Sequence, residues 1–531
     1  MPPLAANTAK SPRFEAGILT DGRGGFEIAV LVANSADEND RVISLHIDLI
    51  EADLAEDVLH RVSLTHNGHA PAGPTLGRGS WPGARSLAPV AASGGMNAST
   101  FPRPAEAKVS GAVVCGINWG DEGKGRVVDY LATDFDIVVR YQGGNNAGHT
   151  VVNEFGSFKL NLIPSGIFYP RVVNVLGPGM VVDLEGLASE IARLDARGIR
   201  CDNLRVSDRA TIVFPFHRQE DAWEEERLRK NAYGSTRRGI APAYGDRYLK
   251  KAIQIGELLH PRHFRERLSH LIEWKSLVAR QVYGVAQPLS VDSMYDWAMS
   301  HGEKVRPLIC DTSSVLEDAQ KSGRRILFEA QLGALRDVMF GIYPFTTSSS
   351  TLASFAPIGS GLLGARIDRV IGSMKAFSTC VGAGPFVTEL FDERASRLRE
   401  SAQEYGAATG RPRRIGHFDA LASRYGVMLQ AATEIVLTKL DSLSGFGPLH
   451  ICTHYQVDGK PLHSFPINPL LEQAKPVLQE MKGWDEDITS VRDFDKLPQA
   501  ARDYVLEIER MIACPIRYVS VGPERQQMIV R

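Results

Sequence analysis

The sequence predicts an α/β protein: a large, mostly parallel twisted sheet flanked by helices, preceded by a largely disordered N-terminal extension. Three observations predict it. Short apolar runs alternate with helix-like segments, the order expected of a parallel sheet. The loops after the first of those runs are rich in Gly and Asn. Residues 1–108 differ in texture from everything after them. The chain has 531 residues, 44% hydrophobic and 23% charged, enough for a buried core. Its 60 Lys+Arg against 62 Asp+Glu give a net charge of -2, which excludes a general nucleic-acid binder; any nucleotide contact must come from a local cluster. No apolar run approaches the ~20 residues of a membrane helix, and nothing points to the membrane.

Taken in order, residues 26–33 form a strand-like run, 42–64 an amphipathic stretch, and 67–108 a linker dense in Gly, Pro, Ala and Ser. Such a linker buries too little apolar surface to offset the entropy of ordering it. The N-terminus carries neither a secretory pattern nor a mitochondrial presequence. From residue 109 onward, apolar runs at 111–115, 137–140, 172–176, 325–328, 369–371 and 434–437 read as buried strands. Segments 126–131, 184–197 and 316–321 read as helices between them. Cys115, Cys201, Cys310, Cys380, Cys452 and Cys514 are far apart with no C-x-x-C pair, so they read as reduced thiols in a cytoplasmic protein.

Ligands of such sheets sit beyond the carboxyl ends of the strands. The first loop there, N-W-G-D-E-G-K-G over 118–125, offers backbone N–H groups, a helix start and Lys124 to an anion. It is not a Walker A loop, because Gly125 stands where Ser or Thr would hold magnesium; Asp121 is the natural metal ligand instead. Read alone, the loop is as readily a Gly-rich turn with a solvated charge cluster. The second loop, Q-G-G-N-N-A-G-H-T over 142–150, ends in His149, the strongest acid–base candidate. T-K-L-D over 438–441 follows a strand; an Asp carboxylate there can accept from both N1–H and the 2-amino group of guanine, favouring GTP over ATP. Arg411, Arg413 and Arg414 on a Gly-flanked loop suit forked recognition of carboxylate or phosphate. Residues 234–244, with Ser, Thr and two Arg, describe either a phosphate-monoester pocket or a basic surface loop.

Together W-G-D-E-G-K-G, G-G-x-N-A-G-H-T, R-G-I-x-P-A-Y, V-G-A-G-P-F-x-T-E-L, T-G-R-x-R-R and T-K-L-D resemble the adenylosuccinate synthetase family, in order from about residue 109 to 531. The resemblance implies a P-loop-NTPase-like sheet and a homodimer with a shared active site. It implies GTP-dependent ligation of IMP and L-aspartate through a 6-phosphoryl-IMP intermediate, with one Mg²⁺ per subunit. By position, Asp121 would be the base and a Mg²⁺ ligand, the Gly148 carbonyl a second ligand, and His149 the acid. Gly120, Glu122, Gly123, Lys124, Gly125 and Arg126 would cradle GTP phosphates with Thr150 and Arg413. Lys439, Leu440 and Asp441 would read guanine, closed over by Ser520, Val521 and Gly522. Asn146, Thr236, Lys250, Leu332, Thr347 and Arg411 would hold IMP. Ala407, Ala408, Thr409, Gly410, Arg411, Pro412 and Arg413 would grip aspartate.

Departures from the family pattern gather in one place. F-E-A-Q-L-G-A-L-R-D-V-M-F-G over 328–341 stands where the pattern is F-E-G-A-Q-G-T-L-L-D-I-D-H-G. The IMP-contacting Gln thus falls on Leu332, with Gln331 one place early, and an Asp-His pair becomes Met339-Phe340. Cys380 replaces an Arg beside the substrate site, Ala408 a Thr and Pro412 an Arg. Lys250 stands for an intersubunit Arg and is a non-forked donor. Leu332, Met339 and Phe340 speak for a paralogue that ligates an amino acid to a different purine-like nucleotide. A GTP-binding protein without turnover is the third class, and the retained Asp121, His149, Lys124 and Arg413 speak against it. Because every motif lies beyond residue 109, deletion of residues 1–95 is expected to leave soluble protein and turnover nearly intact. Expression yield and steady-state rate check this; loss of most activity would contradict it.

Overall fold

The computed structural model describes the strands Arg13–Thr20, Phe26–Ala33 and Arg41–His46, and residues 110–531 except 147, 287–288 and 407–409. The chain divides into two units, 1–98 and 99–531. In the first unit the three strands form an antiparallel sheet with Phe26–Ala33 in the middle, the run predicted at 26–33. The predicted amphipathic stretch begins in its third strand. The rest of that stretch, and the linker at 67–108, lie outside the described residues.

The second unit is built on a ten-stranded sheet. In chain order its strands are β1 Gly111–Gly116, β2 Ile137–Arg140, β3 Val173–Leu176, β4 Leu204–Ser207 and β5 Ile309–Cys310. They continue with β6 Ile326–Glu329, β7 Arg369–Lys375, β8 Glu434–Thr438, β9 Ile516–Ser520 and β10 Met528–Val530. The spatial order is β5-β4-β3-β2-β6-β1-β7-β8-β9-β10. Every neighbouring pair is parallel except β9 with β10 at the edge. β1, β2, β6 and β8 are buried along their whole length, as continuous apolar runs in a sheet covered on both faces should be.

Helix α1, Lys124–Ala132, lies across this sheet and buries Val127, Val128 and Leu131 against Ala112, Val114, Val138 and Leu327. It begins where Gly123 turns the chain through φ 85°, with no side-chain cap on its first N–H groups. Those groups are left to a ligand or to water. Among the described residues, no helix is long and apolar enough to cross a membrane.

Strand order fixes where chemistry can occur. β2, β6, β1, β7, β8 and β9 are consecutive neighbours, so the loops leaving their carboxyl ends share one rim. Those carboxyl ends and the loops that leave them carry Asn146 and His149, Glu329 to Leu332, Asp121, Lys375, Asp441 and Ser520 respectively.

Candidate active site

The loop after β1 is held from within. The buried Glu122 carboxylate accepts from the N–H groups of Asn118 (3.2 Å) and Gly120 (2.7 Å), and its other oxygen binds Lys124 Nζ at 2.7 Å. Glu122 therefore organises the loop rather than facing an anion, and Lys124 is pre-positioned by it. Asp121 stands at φ 60°, presenting a partly exposed carboxylate. Arg126 turns away from the loop: it donates to Ser520 Oγ and to the Glu524 carbonyl.

His149 opens the hairpin formed by His149–Asn153 and Gly156–Leu160. Its Nδ1 meets Glu329 Oε1 at 2.5 Å, and both groups are buried. Ser165 completes the Glu329 shell through its N–H (2.8 Å) and Oγ (2.8 Å). Burial pulls His149 below the ordinary imidazole range, with Glu329 opposing that shift. Burial works to raise Glu329, but the His149 hydrogen bond, the charges of His149 and Arg140 and the Ser165 N–H hold it low. Facing the Glu329 carboxylate, Nδ1 carries the hydrogen of this contact, and Nε2 is the ring nitrogen outside it. Gly125 permits this approach, since a Cβ there would lie 2.6 Å from His149 Cβ.

A charged chain links Asp121 to the core. Arg413 Nε binds Asp121 Oδ2 at 3.0 Å and its Nη1 binds Glu404 Oε2 at 2.7 Å. Lys375 Nζ reaches the same Glu404 oxygen at 2.6 Å. Burial works to raise the Asp121 carboxyl; Arg413, then Lys375, Lys124 and His149, outweigh it and keep it below the usual carboxylate range. Burial also draws the Lys375 ammonium down to about 8.

At the other end of the rim, Lys439 Nζ donates to the Ala402 carbonyl at 2.7 Å, and Leu440 N–H donates to the Ser520 carbonyl at 3.3 Å. Asp441 Oδ1 is buried and finds no hydrogen-bond partner among the described residues. Burial pushes its carboxyl up, eased by Lys439 and Arg126. A buried unpaired carboxylate oxygen is costly unless a ligand satisfies it. Ser520 Oγ donates to Gly522 O at 3.1 Å and steadies that turn, with Val521 buried beside it.

On the opposite side, Gln331 Nε2 donates to Asn146 Oδ1, while its Oε1 accepts from Arg140 (2.6 Å) and the Gly144 N–H (3.1 Å). Gly143, at φ 81°, has no room for a side chain, since its Cβ would meet Gln331 Oε1 at 2.2 Å. Leu332 stands at φ 62° and lies against Gly120, presenting an apolar group. The amide one place earlier, Gln331, is taken up by Asn146, Arg140 and Gly144.

Thr236 is exposed on a loop whose neighbours are held by two carboxylates: Asp221 takes Ser235 Oγ and the Gly239 N–H, and Glu225 the N–H groups of Tyr233 and Gly234. Thr347 N–H donates to the Arg336 carbonyl at 2.9 Å. Arg411 Nη1 lies beside Gly234. Gly410 and Pro412 are exposed, and Gly410 N–H donates to Gly406 O at 2.7 Å. Ala407, Ala408 and Thr409 lie outside the described residues. Arg414 is not a free clamp as the sequence suggested: its Nε binds Glu389 at 2.8 Å and its Nη1 the Gly384 carbonyl at 2.8 Å. Lys250 is exposed at the end of helix Ile240–Tyr248, beside exposed Tyr248 and Leu249, as is Thr150 on its hairpin. A cavity of about 870 Å³ opens beside Asn145 and Gly148, but most of its wall is the 157–162 hairpin and the helix Leu184–Asp195, away from Asp121 and Asp441.

The adenylosuccinate synthetase family profile matches residues 113–529. Adenylosuccinate synthetase 2 of Pseudoalteromonas translucida is 51% identical over 421 residues, 79% of this chain and 99% of that protein. The adenylosuccinate synthetase of a Thermoanaerobacter species is 45% identical over 423 residues, 80% and 99% of the two chains. This chain belongs to the adenylosuccinate synthetase family. With that family it shares the ligation of IMP and aspartate as its class of reaction. The fully ligated adenylosuccinate synthetase from Plasmodium falciparum superposes with a TM-score of 0.75 at 33% identity, covering 80% of this chain and all 100% of that one. A cyanophage S-2L succinoaminodeoxyadenylate synthetase, solved with dGMP and dATP, shares the fold at a TM-score of 0.50 and 21% identity, over 80% and 95% of the two chains.

Sequence reading of this adenylosuccinate synthetase family member missed Glu329, Glu404, Asp221 and Glu225, the carboxylates that hold the motif residues in place. Only Glu329 carried a local signal, a Glu directly after an apolar strand. The Glu329 carboxylate favours the protonated form of His149. Glu329→Gln removes that charge, so His149 becomes harder to protonate. The expected result is a loss in kcat of roughly 10²-fold or more, with the decline on raising pH starting at lower pH than in the parent. A kcat–pH profile checks this; an unshifted profile would contradict it.

Proposed function

We propose that residues 109–531 form the catalytic unit of a ligase that joins IMP to L-aspartate using GTP, through a 6-phosphoryl-IMP intermediate, in purine nucleotide biosynthesis. The observation that carries this reading is that Asp121, bound by Arg413 at 3.0 Å, and His149, held by Glu329, come from two Gly-rich loops on one rim, close enough for the His149 charge to act on the Asp121 carboxyl.

In this reading Asp121, anionic across the neutral range, takes the N1 proton of IMP. The O6 so activated attacks the γ-phosphoryl of GTP, and GDP leaves. His149, with Nδ1–H committed to Glu329, stands at O6 and the transferring phosphoryl through Nε2. The arriving phosphates favour its protonated form, reversing the effect of burial. The amino nitrogen of aspartate then forms the bond to C6, the C6–O6 bond breaks, and O6 departs with phosphate. Such chemistry depends on positioning and charge neutralisation more than on covalent catalysis.

Asp121 and the Gly148 carbonyl would hold Mg²⁺, which when bound supplies charge neutralisation at the phosphates. The donor set fits: one carboxylate and one carbonyl leave the remaining octahedral positions to phosphates and water. Asp441 and Lys439 would read guanine, which accords with the unpaired Asp441 Oδ1. Asn146, Thr236, Thr347 and Arg411 would hold IMP, with Gln331 orienting Asn146. Lys250 would reach a partner's IMP phosphate, which accords with its exposed place beside Tyr248 and Leu249 and makes the working form a homodimer. A cytoplasmic setting accords with its six free cysteines.

Leu332 supports a second reading, in which a less polar wall accepts a different purine-like nucleotide. Purified protein with GTP, Mg²⁺ and aspartate, scanned across IMP and other nucleotides, separates the two by product mass. Turnover of IMP at the highest kcat/KM is expected; a better acceptor would overturn the choice of IMP. For nucleotide choice, Asp441→Asn presents a donor to guanine's own donors and loses a charge-assisted pair. The KM for GTP should rise roughly 10- to 100-fold, and equal use of ATP and GTP by the parent would contradict the assignment.

A further inference from the structure

Lys375 ends β7 and is almost wholly enclosed, with no part in the Asp121–His149 chemistry. Its Nζ reaches Thr379 Oγ1 at 2.8 Å and Glu404 Oε2 at 2.6 Å. Arg413 Nη1 takes the same Oε2 at 2.7 Å, while Arg413 Nε takes Asp121 Oδ2 at 3.0 Å. Glu404 Oε1 is buried too, and meets no hydrogen-bond partner among the described residues. One oxygen of this carboxylate thus serves two cations and the other serves none.

A carboxylate and a guanidinium favour the forked arrangement, with two parallel N–H···O bonds. Glu404 and Arg413 are neighbours across a backbone hydrogen bond, Arg413 N–H to the Glu404 carbonyl at 3.0 Å, yet their side chains share one bond only. The Lys375 ammonium accounts for this. It occupies Oε2 from the other side and carries part of the charge that offsets Glu404, so Arg413 has an edge to spare for Asp121. Without that ammonium, a buried carboxylate with an unused oxygen would face Arg413 alone. Such a charge must be paired where it lies, and the fork onto Glu404 would draw Arg413 off Asp121.

We propose that Lys375 is a positioning residue that keeps Arg413 shared between Glu404 and Asp121: with its proton it holds the guanidinium on Asp121, and without it the guanidinium passes to Glu404. This rests on the reading of Asp121 as the base toward the acceptor nucleotide. The charges that act on Lys375 are Glu404 and Arg413 from segment 404–413 and Asp121 from the loop after β1, while Lys439 acts in turn on Glu404. Burial lowers the Lys375 ammonium and Arg413 adds to this, against Glu404 and Asp121, to about 8. The sharing of Arg413 is therefore lost as pH rises through about 8.

The experiment follows kcat/KM for IMP from neutral to alkaline pH in the full chain, in Lys375→Arg, in Lys375→Met, and in Lys375→Met combined with Glu404→Gln. The parent should fall as pH rises through about 8. Lys375→Arg keeps its proton throughout, so its fall should begin about one pH unit or more higher; an unshifted fall would overturn the proposal. Lys375→Met should lose roughly 10²-fold at neutral pH, the scale of a displaced catalytic group. Adding Glu404→Gln removes the charge that competes for Arg413 and should recover most of that loss; a double variant no faster than Lys375→Met would overturn the proposal. Should Lys375→Met fail to fold, the double variant decides by its profile, because a fall retained near about 8 would count against Lys375. If the parent turns over no acceptor, the functional reading fails separately. The titration is then read from urea unfolding of the parent and Lys375→Arg. Above about 8 the unfolded lysine holds its proton and the folded one does not, so the parent should gain stability over Lys375→Arg as pH rises; a constant difference would overturn the proposal.

Discussion

The site depends on a buried carboxylate at the carboxyl end of a central strand. Glu329 ends β6, which lies between β1 and β2, the strands that feed the two Gly-rich loops. One of its oxygens takes the His149 ring and the Ser165 hydroxyl, and the other takes the Ser165 N–H. In the register of β6 with β2, Glu329 sits opposite Arg140, whose guanidinium in turn holds Gln331. A charge so deeply buried persists only when paired and hydrogen-bonded. Its partners are drawn to fixed positions, and the His149 ring is among them.

The same logic runs through Glu404, where Arg413 and Lys375 share one oxygen. That pairing places Arg413 against Asp121 before any substrate arrives. Groups aimed in advance need little reorganisation as charge develops, which is how electrostatic catalysis gains most of its effect. The other Glu404 oxygen has no hydrogen-bond partner among the described residues, so the chain of charges is under-satisfied at its base.

Much of the fold was legible because parallel strands buried on both faces are continuous apolar runs. Residues 137–140 coincide with β2, and 111–115 falls one residue short of β1. β4 was missed because Arg205 interrupts its short run, and β9 because Arg517 and Tyr518 do the same. The helix Pro261–Gln281 is too charged for its apolar stripe to stand out. At the site, each Gly-rich loop read alone was as readily a turn; what stood out in the sequence was two such loops after consecutive strands, which the sheet order brings to one rim. The groups that support the motif residues did not stand out. Glu404 acts through Lys375 and Arg413, and Asp221 through Ser235 and Gly239; nothing local in the sequence pairs those positions. Nor could spacing reveal that Gln331, one place early in the pattern, meets Asn146.

The central claim is that the oxygen at C6 of IMP receives the phosphoryl group before aspartate displaces it. The measurement that tests it most directly uses IMP labelled with ¹⁸O at C6, with GTP, Mg²⁺, aspartate and the purified chain. The mass of the released phosphate is read after a single turnover. The account predicts that the label leaves the purine and appears in the phosphate. Product formed with unlabelled phosphate would contradict it.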